Sequence, residues 1–193
     1  MSRRARVGLI LAVLAVLALG WTLRPSAITP PVDPTDPVTI RLLSTGRHSG
    51  LLLPCGDGRV VEYDYGEWDW YALGKDEWWR APATVLWPNA GTLGRRTVRA
   101  VDVEAMAESY GGARLAAISV ERRDADRLRA RLDAEFAAGG DVLHNNPYDM
   151  DFVRHSHRFH LFHDCHDEVA EWLRELGCDV APRAIRTGLR VDG

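Results

Sequence analysis

The chain has 193 residues and a formal net charge of −3. Without the four arginines of the N-terminal segment, Arg3, Arg4, Arg6 and Arg24, the remaining residues 25–193 carry a charge of −7. An acidic chain without a basic run lacks the electrostatic surface that nucleic-acid binding needs, so we expect no nucleic-acid partner.

The N-terminus has the pattern of an export segment. An uncharged, mainly apolar run from Val7 to Leu23 follows three arginines, an order that keeps the N-terminus in the cytoplasm and sends the following chain outward. We therefore predict a signal anchor over residues 1–24, which places the rest of the protein at the outer side of the cell membrane. A cleaved signal peptide, with a secreted or periplasmic domain, is the alternative.

A proline-rich segment follows the predicted anchor. Five prolines lie between Pro25 and Pro37, and such a tract prevents a helix and favours extended chain. We interpret residues 25–37 as a spacer. Residues 38–193 have the length of one domain with one core.

The first half of this domain reads as strands. Short apolar runs at 37–44 and 48–54 are of strand length, and the turn Cys55–Gly58 connects the second run to residues 59–65 as a hairpin. Residues 66–87 are aromatic and broken by glycine and proline, so both helix and loop are open there.

Further strands are predicted over Thr97–Val103 and Arg114–Glu121. Leucine and phenylalanine at 128, 132 and 136, closed by Gly139–Gly140, predict an amphipathic helix. Residues 141–163 are polar and read as irregular.

The last predicted element is a helix over residues 164–177. Asp164 is a suitable N-cap and Gly177 a suitable C-terminal cap. The apolar face contains Val169 and Trp172, and Cys165 lies four residues before Val169, so the thiol belongs to the first turn on the buried side.

The helix also constrains disulfide pairing. Cys165 and Cys178 would lie about 20 Å apart along its axis, whereas a disulfide needs Cα atoms within about 7 Å. Any pair among the three cysteines must include Cys55, with Cys178 as its first candidate partner. The alternative is that Cys55 and Cys178 are small buried apolar side chains.

A thiol at a helix N-terminus is suited to nucleophilic chemistry. The helix dipole and free backbone N–H groups stabilise a thiolate and an oxyanion. The base is expected to be a histidine. Several histidines around residue 160 are candidates, but we favour His48, at the start of an apolar strand. Glu62, among apolar neighbours on the return strand of the hairpin, needs a partner if it is buried, and a histidine is a suitable one.

The order of these features resembles a known group of proteins. RHSGLLLP, VVEYDYGEWDWY and LFHDCHDEVAEWLRELG are similar to the corresponding stretches of a bacterial family of exported proteins of unknown function. That family resembles circularly permuted NlpC-type, papain-like cysteine hydrolases, a branch that includes lecithin retinol acyltransferase-like proteins. The similarity covers most of residues 38–180.

The resemblance implies an α+β fold: a small, mostly antiparallel sheet with packed helices, in circularly permuted papain-like order. It implies Cys165 as nucleophile, His48 as general base and Glu62 as the group that orients the histidine, with no cofactor. Where the family pattern is N-C-N-x-[WF], the chain has Asp164-Cys165-His166-Asp167-Glu168. We expect the two acids to oppose thiolate formation, and His166 either to offset them or to be solvated.

We therefore predict a membrane-anchored thiol hydrolase or acyltransferase that acts on an amide or ester bond in the cell envelope. The substrate would be a peptide, a lipid or a sugar-linked amide or ester. A non-catalytic envelope binding or scaffold domain is the first alternative. A metal-binding protein is the second alternative. The histidines between residues 155 and 166 match no compact zinc signature, so no metal ligand is predicted. The aromatic residues fit either a substrate groove or core packing: Trp68, Trp70, Tyr71, Trp78 and Trp79.

Overall fold

The structure, a computed structural model, describes Gly8 and residues 24–183 and 185–192. Within these residues the chain forms two sheets. The strands are β1 Ser26–Thr29, β2 Pro37–Ser44, β3 Ser49–Pro54, β4 Arg59–Glu67, β5 Asn89–Arg99, β6 Arg114–Glu121, β7 Leu143–Asn145, β8 Met150–Phe159, β9 Asp179–Val180 and β10 Leu189–Val191.

Five α-helices and two short 3-10 helices connect the strands of the described ranges. The α-helices are α1 Trp68–Tyr71, α2 Ala81–Leu86, α3 Val103–Ser109, α4 Arg122–Ala138 and α5 Cys165–Glu175, and the 3-10 helices are Trp78–Arg80 and Ala100–Asp102.

The main sheet has seven strands in the order β6-β2-β3-β4-β5-β8-β7, and all its pairs are antiparallel. The predicted α+β class with a mostly antiparallel sheet is therefore confirmed. The hairpin β3–β4, strand β6, helix α4 and helix α5 are also where the sequence predicts them.

Two element predictions are wrong. The strand predicted over Thr97–Val103 ends at Arg99 in β5, and Val103 begins α3, because Val103 and Ala107 supply an apolar helical face that packs on Leu43 and Leu52 of the sheet. Residues 141–163 are not irregular but contain β7 and β8, which extend the sheet beyond β5.

Helices cover both faces of the main sheet, and strand alternation decides which side chain each face receives. On β3, Leu51 and Leu53 face the large core formed with α4 and α5, whereas Leu52 faces α3. On β4, Val61, Tyr63 and Tyr65 join the large core. Glu62 and Asp64 therefore lie on the other face of the sheet.

Part of the predicted spacer is built into the fold. Ser26–Thr29 pairs in parallel with β10 and antiparallel with β9, and Ile28 is fully buried in the large core. The folded part of the chain thus begins before the predicted boundary at residue 38. Apart from Gly8 and Arg24, the predicted anchor lies outside the described residues, and no helix among those described is long and apolar enough to cross a bilayer.

All three cysteines are free, so the candidate pair Cys55–Cys178 is not a disulfide. Cys178 is buried in the large core and the half-buried Cys55 packs against it. Burial raises the pKa of Cys178 to about 11, so this thiol is protonated and unreactive at neutral pH.

Candidate active site

Helix α5 begins with a complete capping box. The Asp164 carboxylate accepts hydrogen bonds from the backbone N–H groups of His166 at 2.8 Å and Asp167 at 3.3 Å, and the Asp167 carboxylate accepts from the Asp164 N–H at 3.1 Å. This fixes the first turn and the position of Cys165. Its sulfur lies 3.7 Å from His166 Nδ1 and 4.0 Å from the carbonyl oxygen of Arg47.

His48 lies at the end of the turn that joins β2 and β3, where its carbonyl accepts a hydrogen bond from the Thr45 N–H at 3.0 Å. Its Nε2 is 3.4 Å from Asp64 Oδ1, and its Nδ1 is 3.1 Å from the hydroxyl oxygen of Tyr71. Burial lowers the pKa of His48, but Tyr71, Asp64 and Cys165 together raise it well above its ordinary value. The geometry thus favours an imidazolium beside the sulfur.

The structure brings Cys165 and His48 together. Burial raises the pKa of the Cys165 thiol, but the charge of His48 and hydrogen bonds from His166 and His48 outweigh burial and lower the pKa to about 7. A substantial fraction of Cys165 is therefore a thiolate at neutral pH, and a thiolate is the nucleophilic form of cysteine.

Glu62 does not contact His48, and Asp64 takes the position that was predicted for Glu62. The Glu62 carboxylate is fully buried and accepts hydrogen bonds from Arg96 Nε at 2.7 Å and Nη2 at 2.5 Å. Burial and the nearby Asp64 carboxylate raise the pKa of Glu62 to about 7, against the opposite effect of Arg96. Glu62 and Arg96 thus form an ion pair. Glu62 lies two residues before Asp64 on β4, on the same face of the strand.

A glycine makes room for Asp64. Gly50 pairs with Asp64 in the β3–β4 ladder, and a Cβ atom built on Gly50 would overlap Asp64 Oδ1. The His-Ser-Gly sequence of residues 48–50 therefore supplies the histidine and, two residues later on the same face, the space for its carboxylate partner. This pairing is the signal that identifies Asp64 in preference to Glu62.

His166 is buried and not solvated. Its Nδ1 lies 3.3 Å from Asp164 Oδ1, and its Nε2 has no hydrogen-bond partner. Burial lowers the pKa of His166, but hydrogen bonds with Asp164 and Cys165 raise it to about 10. The two acids expected to oppose the thiolate are compensated, since Asp164 faces His166 and Asp167 pairs with Arg186.

A cavity of about 460 Å³ adjoins the histidine side of this arrangement. Arg47, His48 and Asp64 contribute to its wall. Cys165 is not part of the lining, and its sulfur lies 4.0 Å from the carbonyl oxygen of Arg47. The remaining lining is mainly aromatic and apolar, and includes Trp70, Tyr71, Tyr148, Phe152 and Phe159.

The aromatic stretch 66–87 serves three purposes. Trp70 and Tyr71 line the cavity, Trp68 is buried against Met150 and Phe152, and Trp78 and Trp79 are exposed. The Tyr71 hydroxyl contact with His48 was not predicted from the sequence, because no spacing rule relates α1 to the β2–β3 turn.

Comparisons of the chain with protein-family models, with curated proteins and with solved structures gave no match. The chemistry of the site therefore has to be argued from its own geometry.

Proposed function

We propose that the protein is a thiol hydrolase or acyltransferase that cleaves an amide or ester bond through Cys165, His48 and Asp64. One observation carries the proposal: His48 contacts the buried Asp64 carboxylate at 3.4 Å, and the charge of His48 helps to lower the pKa of the thiol at the start of α5 to about 7. A nucleophile, a base and a group that orients the base are the parts that covalent acyl transfer requires.

In the first step the Cys165 thiolate attacks the carbonyl carbon of the substrate and forms a carbon–sulfur bond. The backbone N–H of Cys165 stabilises the oxyanion, since the next two N–H groups of α5 are hydrogen-bonded to Asp164. The bond to the leaving amine or alcohol then breaks, and the leaving group takes a proton from the His48 imidazolium. In the second step His48 removes a proton from water or an acceptor alcohol, which attacks the thioester and releases the thiol.

The cavity supports an apolar substituent on the substrate. Its aromatic lining borders His48, and aromatic walls favour an acyl chain or an apolar side chain. The predicted export segment would place such a site in the cell envelope, so we propose an envelope lipid, peptide or sugar-linked amide or ester as the substrate. Circularly permuted papain-like order remains part of this proposal.

The test is acyl transfer from p-nitrophenyl acetate and p-nitrophenyl octanoate to the full-length protein in detergent. We expect a burst of p-nitrophenol and an acyl adduct on the peptide that contains Cys165, with faster acylation by the octanoate. Cys165→Ser, which retains a similar volume, should lose the adduct. Equal p-nitrophenol release by wild type and Cys165→Ser would refute the proposal and favour a non-catalytic binding domain.

A further inference from the structure

A second group of histidines surrounds the first turn of α5. His155 and His157 are two residues apart on β8, so their side chains lie on the same face of the strand, the face that packs against α4 and α5. From α5, Glu168 reaches this face with its side chain only 3 % exposed. Its Oε2 lies 3.0 Å from His157 Nδ1 and 2.7 Å from His163 Nε2.

The donor atoms of three of these residues are close enough to share one ion. One ligand atom each from His155, His157 and Glu168 lie within 4.8 Å of one another. Zinc bound by nitrogen and oxygen ligands at about 2.0–2.2 Å brings such atoms to roughly 3.3 Å from each other. Only a small inward movement of the three side chains is therefore needed.

The surroundings of the three residues fit a cation. Glu135 Oε2 is a buried oxygen without a hydrogen-bond partner, and it lies 3.6 Å from His155 Nε2. The other oxygen of Glu135 pairs with Arg131, so Glu168 supplies the main negative charge and Glu135 Oε2 a second oxygen. The His157 side chain is about half exposed, which provides a path for an ion from solvent.

We propose that His155, His157 and Glu168 bind a divalent transition-metal ion, with zinc as the best fit. Two imidazoles and a carboxylate are a preferred zinc ligand set, and water or Glu135 would complete a tetrahedral site. His163 donates a hydrogen bond to the Glu168 carboxylate and so orients this ligand from the outer shell. The ion would join β8 to the first turn of α5, three residues after Cys165.

The sequence predicted no metal ligand here, because the three residues lie on a strand and on a helix and match no compact signature. A second group with metal-binding side chains, Asp164, Cys165 and His166, lies next to it. An ion there would compete with the helix cap, since Asp164 accepts hydrogen bonds from two backbone N–H groups of α5. The test must therefore distinguish the two groups.

The experiment measures zinc on the full-length chain, purified in detergent through an affinity tag without histidines. After removal of metals with EDTA, the protein is incubated with zinc chloride and desalted, and its bound zinc is measured by mass spectrometry. We expect close to one zinc per chain and a higher melting temperature with zinc. Cys165→Ala should retain the zinc, as should the control His144→Ala, which replaces a half-exposed histidine that pairs with Asp151.

The double variant His155→Ala/His157→Ala should lose the bound zinc, and His163→Ala should weaken zinc binding roughly tenfold, as expected for an outer-shell partner. Near-UV circular dichroism, to which buried aromatic side chains such as Trp172 contribute, shows whether each variant is folded. Glu168→Gln is the second variant if the double variant is not folded. Wild-type protein that is folded but retains no zinc would overturn the proposal. So would full retention by the double variant, whereas loss in Cys165→Ala would assign the ion to the neighbouring group. Acyl transfer plays no part in this measurement, so the two proposals can fail independently.

Discussion

Two groups of histidines and carboxylates border the first turn of α5, and they differ in what lies at their centre. In the thiol site, formed by Cys165, His48, Asp64 and His166, the sulfur lies 3.7 Å from the His166 imidazole, and the charge of a second imidazole, His48, lowers the pKa of the thiol. In the histidine cluster, formed by His155, His157, His163 and Glu168, a carboxylate lies between the imidazoles.

The central atom determines the chemistry of each group. Imidazolium charge beside sulfur lowers the pKa of the thiol and creates a nucleophile. Imidazoles around a carboxylate offer no nucleophile but do offer hard and borderline ligands for a cation. The same residue types, on two sides of the first turn of α5, are thus suited to the two different functions that we propose.

The replacement Cys165→Ser should separate the two groups most strongly. We expect complete loss of acyl transfer, because an alcohol is not ionised by the imidazolium, and full retention of zinc. Intact-protein mass spectrometry after p-nitrophenyl octanoate and zinc content after desalting measure the two effects. Loss of both together would mean that the groups are one site.

The replacement His48→Gln should slow alkylation of Cys165 by iodoacetamide. Without the imidazolium the thiol pKa moves from about 7 towards its ordinary value, and the thiolate fraction at pH 7 falls by about tenfold. Peptide-resolved mass spectrometry gives the rate for Cys165 separately from Cys55. His144→Gln is the control, since His144 also pairs with an aspartate, Asp151, at 2.8 Å; an equal decrease in both variants would argue against a specific role for His48.

The main features of the fold follow from local sequence patterns. The hairpin β3–β4, helix α4 and the capped helix α5 could be predicted because strand alternation, turn residues and helix caps act over a few residues. Strand β8 was missed because it is rich in polar residues, among them the largely buried His155 and the half-exposed His157, which contacts Glu168 of α5. Only the packing of distant elements makes a strand of such composition stable.

The site could be predicted in part for the same reason. Cys165 and His48 are marked by a helix start and a strand start, and the structure brings them together. The choice between Glu62 and Asp64 depends on the register of β3 against β4, which pairs Asp64 with Gly50. A register is set by contacts across strands, so the sequence of β4 alone did not indicate that Asp64 is the carboxylate that contacts His48.

Asp64 and Glu62 can be compared through two isosteric changes. Asp64→Asn removes the charge beside His48, and we expect alkylation of Cys165 to slow by about threefold, equivalent to about half a pKa unit. Glu62→Gln leaves Arg96 without its charged partner in a buried position and should lower the free energy of unfolding by about 1–3 kcal/mol, while alkylation of the folded protein stays close to wild type. Urea unfolding and alkylation rates give the two readouts. If Glu62→Gln slowed alkylation of folded protein and Asp64→Asn did not, Glu62 would again be the candidate for the orienting group.

The smallest effect on alkylation is expected from Gly50→Ala. The added methyl group would displace the Asp64 carboxylate and so reproduce at most the threefold effect of Asp64→Asn on the alkylation rate. Gly188→Ala is the control, because a Cβ atom there meets its nearest neighbour, Pro25, at 3.7 Å, an ordinary contact distance. If Gly50→Ala alkylates as fast as wild type in folded protein, the space at Gly50 is not needed to position Asp64.

The most direct test of the thiol site is the pH dependence of Cys165 alkylation in wild type and His48→Gln. Because only the thiolate reacts, the wild-type rate should fall tenfold per pH unit in acid, reach half its maximum at about pH 7 and be constant above it. In His48→Gln the midpoint should move up by more than one pH unit. A wild-type midpoint at or above pH 8.5, or the same midpoint in both proteins, would contradict the activation of Cys165 by His48.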